Sequence, residues 1–318
     1  MTFSKQIPIR VFGPILLGLL LAFAAVLALD QHQENPANDP VAAPEAQPST
    51  ISSSIDQVQM IVLDPPPFPQ GPPEIGEATI PSLTLSLLSA NPNQITDEDA
   101  WLAQHQLSLP QYPVPNSFQQ LSGELPNTIP LAYQDALLVQ ALPQATTTLL
   151  FYGNHFSEAR YLFSYSESSN LFNYGYDFEN YLLSPEYKPE DREFVQQQLT
   201  WAIQEAEILY VSTAHATYAE SSKGMNAYLT AINTDTHERL WRSQSLVCNA
   251  KNFVIIENVI ICGYGFTAEP DYLYILDKKT GTIMDQISVT SAPEYILPKG
   301  SELFVRTYNT DYVFSINR

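Results

Sequence analysis

Four stretches of the chain start alike. They are Tyr161-Leu-Phe-Ser-Tyr-Ser, Tyr228-Leu-Thr-Ala-Ile-Asn, Tyr272-Leu-Tyr-Ile-Leu-Asp and Tyr312-Val-Phe-Ser-Ile-Asn, and successive copies begin 67, 44 and 40 residues apart. Their aromatic and β-branched residues suit a pleated, half-buried strand. A similar run precedes each copy: Leu149-Leu-Phe-Tyr, Leu209-Tyr-Val-Ser, Val259-Ile-Ile-Cys and Leu303-Phe-Val-Arg. Shorter strands are predicted before these, at 136–140, 200–204, 253–256 and 295–297, and fourth strands after three of them, at 172–176, 240–244 and 282–287. Glu257-Asn258 is short enough to close a two-residue hairpin. Each unit therefore reads as a four-stranded antiparallel meander. A single such sheet cannot hide its faces from water, so repeats of this length stack into a propeller or a related array. The expected fold class is all-β, a partial four-bladed β-propeller over residues 133–318.

The fourth unit is one strand short. An apolar edge left open there would invite aggregation. Val58-Gln-Met-Ile-Val-Leu, with strand limits expected at 57–63, lies inside a proline-rich arm. Its return to complete the fourth unit is one expectation; completion by a partner is the other.

The N-terminal segment bears on compartment. Lys5 and Arg10 precede an apolar run, 11–29, and Asp30, Glu34 and Asp39 follow it. Its 19 residues approach the roughly 20 that a membrane-spanning helix needs. Basic residues before and acidic residues after orient the N-terminus to the cytoplasm and the remainder outside. A cleaved signal peptide is the alternative, with Val26-Leu27-Ala28 near the cut. Residues 1–30 are thus an anchor or signal, and 31–95 a disordered, proline-rich linker. Residues 96–132 form a short helix and an irregular segment. Thr96 is the expected cap, and Trp101, Leu102 and Leu107 the docking face. A second short helix is predicted within 187–198, where Pro189 stands at its start.

Loops between second and third strands share one end of a stack of meanders. They collect His155, Glu158, His215, Tyr218, Glu220, Glu269, Asp271, Tyr308 and Asp311. Two imidazoles and several carboxylates could hold a divalent cation, nitrogen favouring Zn²⁺ and oxygen Ca²⁺. The plainer reading is a polar rim that binds a ligand or partner, and no metal site is assigned. Arg306 is expected to pair with Glu269 or Asp271. Cys248 and Cys262 are the only two cysteines. Outside the cytoplasm they either form a disulfide or remain two buried thiols.

The stretch Ala231-Ile-Asn233-Thr-Asp-Thr236-His237-Glu-Arg-Leu-Trp241 resembles the repeat of the quinoprotein-like β-propellers, Ala-x-Asp-x-x-Thr-Gly-x-x-x-Trp. Asn233 stands for Asp and His237 for Gly. The next copy, Asp277-Lys-Lys-Thr280-Gly281, matches at the turn but has Asp285 in place of the Trp. The resemblance implies that Trp241 packs onto the neighbouring blade and that the turn residues hold it. Members that bind pyrroloquinoline quinone have about twice as many blades, a Ca²⁺-ligating set and an adjacent cysteine pair. None of these is visible, so no cofactor is implied, and the cofactor-free scaffold members are the better analogues.

The formal net charge of -20 opposes binding to nucleic acid or to an anionic membrane surface. No nucleophile elbow, zinc-protease helix, phosphate loop or Cys-x-x-Cys occurs in the sequence. The leading expectation is a membrane-anchored, extracytoplasmic binding or scaffold module whose partner is an envelope protein or polymer. The alternative is an enzyme acting on glycan or peptide, with Glu158, Glu220 or Glu269 as acid or base. A raised-pKa carboxylate in a deep pocket would favour the second reading.

Overall fold

The structure is a computed structural model, and it describes residues 60–76, 81–110, 137–153, 158–166, 168–169, 171–217, 220–267 and 269–318. The apolar run 11–29 and all of 31–59 lie outside the described residues. Among the described residues no helix is long and apolar enough to cross a membrane.

The chain enters through β1 (Met60–Val62), β2 (Thr84–Pro92) and helix α1 (Glu98–His105). Four sheets follow. The first holds β3 (Leu137–Pro143), β4 (Thr148–Gly153), β5 (Ala159–Ser166) and β6 (Leu171–Asp177). Two short helices, α2 (Glu179–Leu182) and α3 (Arg192–Val195), lead to the second. It holds β7 (Gln198–Glu205), β8 (Ile208–Ala214), β9 (Tyr228–Asn233) and β10 (Arg239–Arg242). The third holds β11 (Val254–Ile256), β12 (Val259–Tyr264), β13 (Asp271–Asp277) and β14 (Ile283–Val289). The fourth holds β15 (Pro293–Lys299), β16 (Glu302–Thr307) and β17 (Thr310–Asn317).

Strands β3 to β6, β7 to β10, β11 to β14 and β15 to β17 each run as an antiparallel meander in chain order, as expected of blades. Its second strand is buried along almost its whole length, in β4, β8, β12 and β16 alike. Both faces are covered, and this is why those strands are continuous apolar runs rather than alternating ones. One core cluster runs from Phe151 and Tyr176 through Trp201, Val211 and Leu229 to Ile260 and Leu276, joining the first three sheets. A second joins the third and fourth through Ile261, Leu273, Val305 and Phe314. The expected turn at Glu257-Asn258 is present, with Ile256 opposite Val259.

The sheets also interlock through one repeated device. Asn233 Oδ1 accepts from the amides of Asp235 and Thr236, and Asp277 Oδ1 from those of Lys279 and Thr280. The two turns are therefore built alike, as side-chain-closed turns are. Each docks on an aromatic ring of the preceding sheet's fourth strand. Tyr176 on β6 hydrogen-bonds His237 Nδ1 across 2.9 Å. Trp241 on β10 lies so close to Gly281 that a Cβ there would stand 2.4 Å from the ring. Gly281 holds φ +70, so glycine is required twice over. His237 accepts a positive φ of 62 where the resembled repeat has glycine.

The arm before the sheets departs from expectation. The fourth sheet is completed from within the chain, but by β2, which pairs with β17 from Thr84↔Asn317 to Pro92↔Thr310. The strand expected for that role belongs elsewhere: Met60–Val62 adds in parallel to β6, at the far edge of the first sheet. The pattern of 58–63 carried no information about which open edge it would meet.

Residues 63–76 are no disordered linker either. They run between β1 and the third sheet and are held all along. Leu63 O accepts from Asn180, Pro67 O from Arg242, Pro69 O from Tyr228 and Gly71 O from Ser245. Glu74 and Gln244 exchange two bonds of 2.8 Å. Gly76 N–H donates to Ile283 O on β14. Proline has no N–H to give, so the middle of this belt offers carbonyls and the sheets supply the donors. Counting β2, the arm touches the sheets in the order first, second, third, fourth.

Helix α1 docks Trp101, Leu102 and Leu107 against Tyr295, Leu297 and Phe304 of the fourth sheet, as its sequence suggested. Thr96 is not its cap: a single 3-10 turn, Ile95–Asp97, leads in, and no side chain bonds the first amides. Arg306 pairs with Asp311, its cross-strand neighbour at 3.1 Å, rather than with Glu269 or Asp271. It also donates to Gln94 O and lies over the Trp101 ring. No disulfide joins Cys248 to Cys262. Both thiols are free and buried, and burial pushes the Cys262 thiol well above its ordinary range.

Trp241→Ala should destabilise the protein by about 3–5 kcal/mol in urea unfolding, as for other buried aromatic truncations. Gly281→Ala should also destabilise. Its cost should fall sharply in the Trp241→Ala background, since the clash is with that ring; equal costs in both backgrounds would contradict the docking.

Candidate functional site

The rim residues are positioned by hairpin ends. Glu158 immediately precedes β5, His215 follows β8, Glu269 and Asp271 lead into β13, and Tyr308 lies between β16 and β17. His155 and Tyr218 lie outside the described residues. Glu220 opens a short 3-10 turn, Glu220–Ser222.

The structure brings two of these together. Glu158 and His215 line one cavity of about 600 Å³ between the first and second sheets, with Arg160, Arg192, Glu193 and Gln196 among its other walls. The arginines were not anticipated. Arg160 is committed: it grips Asp177 through two bonds of 2.7 Å and reaches Glu179 at 2.7 Å. Those carboxylates hold its guanidinium firmly protonated. Arg192, on α3, is exposed. Only the insertion between the first two sheets supplies it.

His215 is buried and locked. Its Nε2 meets Ser222 Oγ at 3.0 Å and its Nδ1 meets Thr217 Oγ1 at 3.3 Å. Asn226 clamps its backbone from both sides, accepting from its N–H and donating to its C=O. Burial pushes the imidazole down to about 4, against a weaker opposing bond from Thr217. It is therefore neutral at physiological pH, with both nitrogens engaged. Such a group organises a loop; it is poorly placed to ligate a metal or carry a proton.

The remaining rim residues stand apart. Tyr264 donates its hydroxyl to Glu269. Asp271 is raised above the ordinary carboxylate range by burial and by nearby Glu269. It packs against Gly265, where an added Cβ would fall 2.1 Å from its Oδ1. Tyr308 is exposed. None of the three lines the cavity with Glu158 and His215. Asp311 is likewise raised by burial, and it serves Arg306 and Asn93. Neither raised carboxylate faces that cavity. Among the described residues no three His, Cys, Asp or Glu side chains converge as a metal site would.

Two of the other hollows border the belt and the first strands of the sheets. One, of about 340 Å³, lies under the belt and shares Arg160, Arg192 and Gln196 with the rim cavity; Pro65, Pro66 and Phe68 form its other wall. Another, of about 420 Å³, is lined by Trp201 and Ile203 of β7, Val254 and Ile255 of β11, and Ile296 and Leu297 of β15. The first strands of three sheets thus face one axial space. Gln106, Leu107, Ser108 and Pro110 border it.

No family model matches the chain, and no curated protein does. Its fold is similar to solved structures at low scores. The computationally designed Ika4 protein is 9% identical over 55% of this chain and 88% of its own, with a TM-score of 0.35. BamB from Moraxella catarrhalis is 13% identical over 56% of this chain and 58% of its own, at 0.33. The AfRom2 CNH domain is 11% identical over 57% of this chain and 51% of its own, at 0.34.

Because His215 is neutral when folded and titrates near 6.5 when unfolded, protonation favours the unfolded state. Its contribution is fully present above about pH 6.5 and is lost as pH falls toward about 4. Urea unfolding should therefore show stability falling by roughly 3 kcal/mol across that window from this group alone. His215→Gln should flatten that part of the profile, and an unchanged slope would contradict the buried neutral imidazole.

Proposed function

We propose that the chain is a partial propeller of the quinoprotein-like kind that binds a partner rather than catalyses a reaction. In this reading the apolar run 11–29 holds it at the membrane, and the sheets lie outside the cytoplasm. The partner is a protein of the same compartment, an extended segment of which lies in the groove between Glu158 and His215.

One observation carries the binding reading. Among the described residues the rim cavity is open and polar, its imidazole, His215, is locked neutral, and neither raised carboxylate faces it. A site of that kind suits recognition, and none of its described residues is a poised acid or base. Gln196 and Gln198 line it and can both donate to and accept from a peptide backbone. Arg192 is the exposed cation on its wall, beside the exposed carboxylates Glu158 and Glu193, and is suited to an acidic partner residue. The propeller assignment draws support from the paired turns at Asn233 and Asp277 and from Trp241 beneath Gly281. The compartment draws support from Lys5 and Arg10 before the apolar run and Asp30 after it.

The test uses the full chain in its own membranes. Protease added outside intact cells should digest residues of the sheets, and Arg192→Glu should reduce cross-linked partner by about tenfold, the size expected for reversing one charge at a contact. Protection from the protease would sink the placement. Undiminished cross-linking would sink the groove.

A further inference from the structure

The arm meets the outer strand of three sheets before it supplies the outer strand of the fourth. β1 pairs with β6, the belt bonds Arg242 at the end of β10, and Gly76 bonds Ile283 at the start of β14. β2 then ends the fourth sheet, and among the described residues no strand pairs with its far side. Of its nine residues only Leu85 and Ser89 are even half-buried; Leu87 and Leu88 are 57% and 56% exposed. Sheet edges are ordinarily guarded by lysine, by other charges or by proline within the strand. Here no charged residue stands between Glu77 and Asp97, and Pro92 comes only at the strand's end. An apolar, uncharged edge on a chain of net charge -20 is a place where two such chains can meet without opposing like charges.

The strand's sequence says what the edge fits. Thr84-Leu-Ser-Leu-Leu-Ser-Ala-Asn reads alike in both directions about its centre, Leu87-Leu88. Laid antiparallel on itself there, Leu87 meets Leu88, Ser86 meets Ser89, Leu85 meets Ala90 and Thr84 meets Asn91, like class against like throughout. Backbone direction agrees. Ile316 N–H turns to Ser301 O and Asn93 N–H to Asn309 O, so the odd residues of β17 face β2. Its register then turns Thr84, Ser86, Ser89 and Asn91 toward β17 and leaves the amides and carbonyls of Leu85 and Ala90 pointing outward. In a straight strand Leu85 and Ala90 would point opposite ways. The register shift between Leu87 and Ser89, with Leu88 the extra residue, brings both to the outer side. A strand from an unrelated protein could make the same backbone bonds, but nothing would match its side chains to these.

We propose that the outer edge of β2 is a dimer interface, where β2 of a second copy pairs antiparallel about a two-fold axis between Leu87 and Leu88. The two fourth sheets become one continuous sheet, and the contact is self-complementary, as a closed two-fold requires. Leu85 and Ala90 exchange backbone bonds across the joint, and Ser86 lies opposite Ser89 as a closely spaced pair without them. The interface is distinct from the rim cavity and does not rest on the rim's assignment.

The test uses the full chain. Sedimentation over a range of concentrations should show a monomer and a dimer in exchange. Leu87→Lys puts two like charges at the joint from an exposed position and should weaken the dimer by about a hundredfold. Ala90→Pro removes an outward N–H without touching the ladder to β17 and should weaken it independently. The register is read by cross-linking. Copies with Ser86→Cys and copies with Ser89→Cys, carrying different tags, are expressed together and oxidised; the native Cys248 and Cys262 are buried. The mixed pair should link, and each variant expressed alone should link about tenfold less, because cross-strand geometry suits only directly opposite positions. A chain that stays monomeric at every concentration overturns the proposal. So does a dimer that both Leu87→Lys and Ala90→Pro leave intact, or linking of the mixed pair no stronger than of either variant with itself.

Discussion

The ladder between β2 and β17 decides whether this chain can close its fourth sheet. An antiparallel sheet stacked face to face buries its interior strands without difficulty. Its last edge is different, because the unpaired amides and carbonyls of an apolar strand template association with another chain. Here the edge is covered by a strand from more than two hundred residues earlier, in a register running the whole length of β17. Blade four therefore depends on the N-terminal arm, and the arm must be routed around the first three sheets to reach it.

That routing explains the composition of the arm. A segment crossing successive edges cannot pair as a strand with each, since the edges point in different directions. Prolines suit such a path, because they stay extended and have no N–H to leave unsatisfied. The carbonyls they keep are met by Asn180, Arg242, Tyr228 and Ser245, each contact adding on the order of 1 kcal/mol. Gly71 and Gly224 let the two backbones approach, with an added Cβ on Gly224 falling 3.3 Å from Gly71 N. The same arm ends in α1, whose Trp101 covers the fourth sheet's other face and the ion pair of Arg306 with Asp311.

Much of this was legible in the residues. The Tyr-led strands, the apolar runs before them and the Glu257-Asn258 hairpin carry their own periodicity and turn chemistry. Trp241 and the turns at Asn233 and Asp277 were readable because local side-chain bonds fix them within a few positions. The arm was not. Which edge a strand joins depends on where edges lie in space, so Met60–Val62 was assigned to the wrong sheet and Thr84–Pro92 escaped notice. Proline-rich sequence signals an extended backbone and is silent about whether something holds it. Arg306 was misassigned for a similar reason, although its antiparallel register places Asp311 directly opposite. Of the rim, the hairpin ends could be placed. That Glu158 and His215 share a cavity while Glu269, Asp271 and Tyr308 do not depended on the insertion that brings in Arg192.

The arm is as much a part of the fold as the sheets it crosses. The direct measurement of this compares urea unfolding and solution mass of residues 54–318 with those of residues 96–318, which lack the belt and β2. The longer protein should unfold in one cooperative transition as a soluble species. The shorter one should lose that transition or associate through the bare edge of β17. A monomeric 96–318 with the same midpoint and the same slope would contradict a structural role for the arm.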